Sequence, residues 1–236
     1  MINIQHDFII GPSDTDSVSF CKPDGSPMTE KEIEILVKEI NDISPEHMVW
    51  ANDGYYQTCI CVRAKNYVLW DGKNLTIKGS SLKATGKALA LREFIQRIIQ
   101  SIIDEKFNYL ELYNEYVNEI MNITDISRWQ IKKTVTEKVL NGTRTNETKV
   151  MAAIADSEDE IAEGEKIYVY YKSDDTLALA EKFDGNYNQE RLLKNLHDTA
   201  KCFSTIIDKK TFVNYSLVKS QKALLELTGK QLTYVI

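Results

Sequence analysis

The chain has 236 residues, 43% hydrophobic and 27% charged, enough apolar material for one large domain or two small ones. No apolar stretch approaches the ~20 residues that span a bilayer, and Met1 to Phe8 lacks the basic start and apolar run of a secretory signal. A membrane protein is thereby disfavoured, and a cytoplasmic setting (host cytoplasm if the source is viral) is the expectation. The net charge of −6 argues against a uniformly basic nucleic-acid binder. The charge is uneven, however. Asp156 to Glu165 holds six acidic residues in ten, whereas Lys65 to Arg97 carries seven basic residues against Asp71 and Glu93. A local basic face can bind phosphate despite an acidic total. The four cysteines and three scattered histidines lack paired zinc-ligand spacing. They read as reduced, partly buried thiols and isolated imidazoles.

In chain order, Ile4 to Ile10 and Val18 to Phe20 are apolar runs joined by Gly11 to Ser17, a turn-rich link of hairpin type. Thr29 is a good N-cap for a helix over Glu30 to Asn41, and Glu32 completes a capping box. Ile33, Leu36, Val37 and Ile40 form its apolar face. Strands are predicted over Tyr55 to Val62, Asn66 to Trp70 and Leu75 to Lys78, the last two joined by an Asp71-Gly72 turn. From Lys83 to about Phe107 the pattern becomes helical, with Leu89, Phe94, Ile95, Ile98, Ile99, Ile102 and Ile103 as the buried stripe. Beyond Asn108 the chain reads as mainly helical: Tyr109 to Met121, Glu147 to Ala155, Gln189 to Ile207 and Leu217 to Leu227. One strong strand, Lys166 to Tyr171, interrupts it. The fold class expected is α+β, with a change of composition near Asn108.

Ser13-Asp14-Thr15-Asp16-Ser17 is the sharpest local feature. Two carboxylates two residues apart on a tight turn repel one another unless a cation or donor compensates. Mg2+ does so well, since it prefers oxygen and needs few protein carboxylates. Asp is also a favoured turn residue, so a solvated turn has the same signature.

Asp14-Thr15-Asp16-Ser17 between apolar strands resembles motif C of the family B DNA polymerases. The family usually has Tyr-Gly before the first Asp, where this chain has Pro12-Ser13. Lys65-Asn66-Tyr67 resembles the family's Lys-x-Tyr motif, and Lys78-Gly79 the Lys-Gly that comes after it. The order is also that of the family: aspartate turn, helix, strand, Lys-x-Tyr, hairpin, Lys-Gly, long helix. Ile126 to Thr136, the helix near Lys149 to Ala155, and Gly164 to Tyr170 look like thumb elements. The segment after Gly79 is closer to phage versions than to cellular ones. The resemblance implies residues 1–107 as the C-terminal part of a palm, an antiparallel hairpin and sheet packed by helices. It implies residues 108–236 as a mainly helical thumb. It implies Asp16 as a metal ligand with Asp14 in support, both catalytic, in a two-metal Mg2+ site. Lys65, Tyr67, Lys78 and Gly79 would then grip primer–template DNA. Lys132, Lys133 and Arg144 are thumb candidates only because they are basic.

A working member of that family also needs a second palm aspartate, in a Ser-Leu-Tyr-Pro-like motif, and a fingers helix that grips the incoming dNTP. Neither motif occurs in this sequence, no exonuclease acids precede the turn, and thirteen residues precede Asp14. The expectation is the C-terminal subunit or fragment of a DNA-directed DNA polymerase, read as one chain of a split enzyme. Its partner is an N-terminal chain with exonuclease, fingers and remaining palm, meeting it across a large, partly apolar interface. Two other classes stay open. Asp14-Thr15-Asp16-Ser17-Val18 also fits the Asp-x-Asp signature of haloacid dehalogenase-like phosphatases, with Asp14 as nucleophile and Asp174-Asp175 as a later acidic pair. That fold requires βαβ units around a parallel sheet. A noncatalytic DNA-clamping or assembly protein derived from the thumb is the third.

Overall fold

The computed structural model describes residues 7–14, 16–83, 86–106, 108–142, 145–155, 157 and 160–207. The fold is α+β. Seven α-helices and three small antiparallel sheets occur among these residues. The expected helix Leu217 to Leu227 and the candidate Arg144 lie outside the described residues, as do Ile4 to His6 at the start of the first run. The chain divides into two compact units, Met1–Lys83 and Ala84–Ile236, so the division falls ahead of the composition change near Asn108.

In the first unit, β1 (Ile9–Ser13) and β2 (Val18–Cys21) form the antiparallel hairpin. The expected seven-residue link is shorter than predicted because Gly11, Pro12 and Ser13 belong to β1. Ile10 pairs with Phe20 and Ser13 with Val18, which leaves one extra residue on β1. That bulge accommodates Pro12, which has no N–H to give a regular ladder. The ladder closes where the Asp14 N–H donates to the Ser17 carbonyl at 2.8 Å.

Helix α1 (Glu30–Ile43) begins with the predicted capping box. The Glu32 N–H donates to Thr29 Oγ1 at 3.3 Å, and the Thr29 N–H donates to Glu32 Oε2 at 2.7 Å. Leu36 and Ile40 are buried beneath it. Asn41 ties the segment around Trp50 back to the helix, since its amide accepts from the Trp50 N–H and donates to the Trp50 carbonyl.

β3 (Thr58–Arg63), β4 (Asn66–Trp70) and β5 (Leu75–Lys78) form a three-stranded meander, followed by the short α2 (Ser80–Lys83). β3 starts three residues later than predicted. The Asp71-Gly72 turn forms as its chemistry requires: the Asp71 carboxylate accepts the N–H groups of Lys73 and Asn74, and Gly72 takes φ +95°.

In the second unit, α3 (Leu89–Ile103) starts later and ends earlier than the predicted Lys83 to Phe107. Gly86 precedes it, and Leu89 is exposed rather than part of the stripe. Ala90, Leu91, Phe94, Ile95, Ile98 and Ile99 are buried. α4 (Tyr109–Met121) packs on α3, and α7 (Gln189–Lys201) packs on both. Phe94, Tyr113, Tyr116 and Trp129 meet edge to face in this core. α7 stops at Lys201 rather than Ile207, in a run of turns after Cys202.

The stretch read as one strand among helices is a three-stranded antiparallel sheet. β7 (Lys166–Tyr171) is its centre, flanked by β6 (Ile131–Thr134) and β8 (Leu177–Leu179). The flanking strands are only four and three residues long, too short to show a period of two. After α5 (Glu137–Leu140), α6 (Thr145–Ala155) covers the sheet, burying Val150 and Ala153 against Val135, Ile167, Val169, Leu177 and Leu179. Among the described residues every strand pair is antiparallel, which is the reverse of the parallel sheet that the phosphatase alternative requires. No helix is long and apolar enough to cross a membrane among the described residues.

Candidate active site

The first unit brings together residues that are far apart in the chain. A two-residue turn, Ala64-Lys65, joins β3 to β4 opposite the pair Arg63 and Asn66. Lys65 takes φ +59° there, a left-handed conformation uncommon for a side chain other than Gly, Asn or Asp. Its ammonium sits 3.2 Å from Asp14 Oδ1 on the hairpin turn. Both side chains are well exposed, so the pair contributes little to stability and rearranges cheaply.

Tyr67 lies further along β4, directly opposite Cys61 on β3 and Lys78 on β5. Residues in register across a sheet share one face, so Tyr67 and Lys78 stand side by side. Partial burial raises the Tyr67 phenol above its ordinary pKa, and the nearby Asp14, Cys59 and Asp16 raise it further. The phenol thus lies in the field of both turn carboxylates.

Gly79 joins the second motif to the first. Its φ is +97°, and a Cβ there would fall 2.3 Å from the Lys65 carbonyl oxygen and 2.4 Å from Asn66 Oδ1. Asn66 is buried and clamps both turns. Its amide nitrogen donates to the Ala64 carbonyl at 3.0 Å, and its Oδ1 accepts the Ser81 N–H at 3.0 Å. Sequence reasoning passed over Asn66 as the unspecified middle of Lys-x-Tyr. The available signal was a polar residue opening an apolar strand.

Asp14, Asp16, Lys65, Tyr67, Lys78 and Gly79 therefore all belong to the first unit. The structure joins Asp14 to Lys65 by an ion pair, Tyr67 to Lys78 by register, and Gly79 to Lys65 by backbone packing. Chemically, two carboxylates on one tight turn offer hard oxygen ligands, and two lysines with a phenol offer phosphate neutralisation and hydrogen bonding. As for Mg2+, the donor chemistry fits, but the donor number falls short. No group of three or more His, Cys, Asp or Glu side chains is placed to hold a metal among the described residues.

Beside these residues lie three thiols. Cys21, Cys59 and Cys61 are exposed, against the expectation of partly buried side chains. Desolvation at the sheet surface pushes the Cys59 thiol up to about 12, with Cys61 and Cys21 adding to it.

In the second unit, the acidic pair Asp174-Asp175 has local partners. Asp174 Oδ1 accepts the Thr176 N–H and hydroxyl, while Asp175 binds Lys149 and Arg191 at 3.1 and 2.7 Å. The pair belongs to the β7–β8 turn, where Asp175 takes φ +66°. Lys132 lies over the ring of Tyr168 at 5.9 Å, and Lys133 is half-buried on β6.

No protein-family model matches the chain, and no curated protein matches it in sequence.

Proposed function

We propose that this chain is the C-terminal palm and thumb part of a family B-like, DNA-directed DNA polymerase. In this reading it supplies motif C carboxylates and a grip on primer–template DNA, and it acts with a partner chain bearing the other palm carboxylate and the fingers. The observation that carries the reading is the meeting of the Asp14 turn with the Lys65-Asn66-Tyr67 turn through the Asp14–Lys65 ion pair. Two motifs that resemble the family's in sequence, and lie some fifty residues apart in the chain, thus meet at one place in the first unit.

Each residue then has a task set by its chemistry. Asp16, with Asp14, contributes oxygen ligands to a shared Mg2+ site whose remaining ligands come from outside this sequence. When bound there, Mg2+ favours deprotonation of the primer 3′-hydroxyl and neutralises the triphosphate. Lys65 balances the Asp14 charge while no cation is present, and is free to turn towards a phosphate when one is. Tyr67, kept protonated, donates its O–H beside the carboxylates. Lys78 neutralises a backbone phosphate on the same face, and Gly79 lets the two turns close upon one another.

The composition of the first unit supports a shared domain. Its buried apolar residues among those described are Leu36, Ile40, Ile60, Val62, Val68, Leu69 and Leu82. Ile9, Ile10, Ile43, Met48, Val49 and Tyr55 are exposed, Val49 by 85%. So many exposed large side chains beside so small a core suit a domain completed by another polypeptide.

Reconstitution tests the proposal. Primer extension is expected only when this chain is combined with one carrying the second palm aspartate and fingers. Extension by this chain alone, or by the partner alone at the same rate, overturns it.

A further inference from the structure

Cys59 and Cys61 stand two residues apart on β3, so their side chains leave the same face of the strand. Ile60 and Val62 are buried on the other face, which fixes the strand's orientation. Both thiols are free and exposed, and their sulfurs are 3.9 Å apart.

That separation discriminates between two fates. A disulfide needs sulfurs about 2.05 Å apart and Cβ atoms about 4 Å apart. Residues two apart on an extended strand are separated by about 6.6 Å along it, so an intrastrand bridge would distort β3. Two thiolates on one tetrahedral ion with metal–sulfur bonds of about 2.3 Å are about 3.8 Å apart, close to the spacing present. The pair is already at chelating distance.

We propose that Cys59 and Cys61 form a two-thiolate binding site for a soft, thiophilic cation of the Zn2+, Cd2+ or Cu+ type. Softness is dictated by the donors: thiolates select such ions, whereas Mg2+ and Ca2+ take oxygen. The protein supplies two ligands, since no group of three or more metal-binding side chains is placed to hold an ion among the described residues. The remaining positions are open to water or an external thiol. Binding replaces two S–H protons with one metal ion and changes no oxidation state. Cys61 stands opposite Tyr67, so the bound ion would lie beside the candidate active site. The dithiol does not depend on the polymerase reading.

The test titrates Cd2+ into the full reduced chain and monitors the thiolate-to-metal charge-transfer band in the ultraviolet. One equivalent is expected to bind, without competition from excess Mg2+, in the wild type and in Cys21→Ser/Cys202→Ser. Cys59→Ser or Cys61→Ser alone should weaken binding by roughly a hundredfold, because chelation is lost. A band that is absent, survives in Cys59→Ser/Cys61→Ser, or disappears in Cys21→Ser/Cys202→Ser overturns the proposal. Circular dichroism of each variant separates lost binding from lost folding.

Discussion

At Gly79 a single added methyl group has nowhere to go. It would meet the Lys65 carbonyl at 2.3 Å, a backbone atom that cannot swing aside, in a conformation with φ +97° that side chains resist. Gly79→Ala is therefore expected to destabilise the first unit by about 2–3 kcal/mol, measured by urea unfolding. An unchanged midpoint would mean that the two turns are not packed as described. Gly86→Ala is a suitable control, since nothing lies within 4 Å of a Cβ placed there. Lys65 and Tyr67 were visible in the sequence as a motif, and so were the two aspartates. Asn66 was not, because its role depends on where Ala64 and Ser81 stand in space. A hydrogen-bonding clamp between turns leaves no periodicity to read.

Helix ends carry the clearest element-scale expectations. Lys22 and the Thr29 backbone and hydroxyl hold the Glu32 carboxyl at about 2, well below its ordinary 4.5. A depressed carboxylate stabilises the fold above its unfolded pKa, and that contribution is lost as the pH falls. α1 should therefore weaken progressively between about pH 4.5 and pH 2, and Glu32→Gln should flatten this part of the acid-unfolding curve. Equal acid sensitivity in the two proteins would contradict the capping box. In the second unit, α3 closes with Glu105 in the left-handed conformation. The Lys106 N–H reaches the Ser101 carbonyl and the Glu105 N–H reaches Ile102, a Schellman pattern without its usual glycine. Glu105→Gly is expected to raise stability by about 0.5–1 kcal/mol in thermal unfolding; a decrease would argue against that cap. The sequence signalled the start of α1 because its cap is chemical, through Thr29 and Glu32. It did not signal the end of α3, because Glu105 carries no such mark. The bulge at Pro12 and the short strands β6 and β8 were hidden for a similar reason: each is fixed by a partner strand rather than by its own pattern.

For the whole molecule, the α+β class and most of the longer elements were legible, since burial imposes long-period patterns on α1, α3, α4 and β7. The division of the chain after Lys83 was not legible. Composition changes near Asn108, yet α3 packs on α4 and α7, so its many isoleucines belong to the core of the second unit. The proposed function turns on how the first unit would use the Asp14 turn, and the competing explanations differ in their demands on it. A solvated turn needs neither carboxylate, and a clamp needs only the lysines. A shared two-metal site needs Asp16 in particular. Primer extension by the reconstituted pair, comparing wild type with Asp16→Asn at matched DNA occupancy, separates these directly. A shared site predicts a loss of rate of about a thousandfold, equivalent to several kcal/mol of metal-dependent stabilisation, with DNA affinity little changed. Undiminished extension by Asp16→Asn in that pair would contradict it.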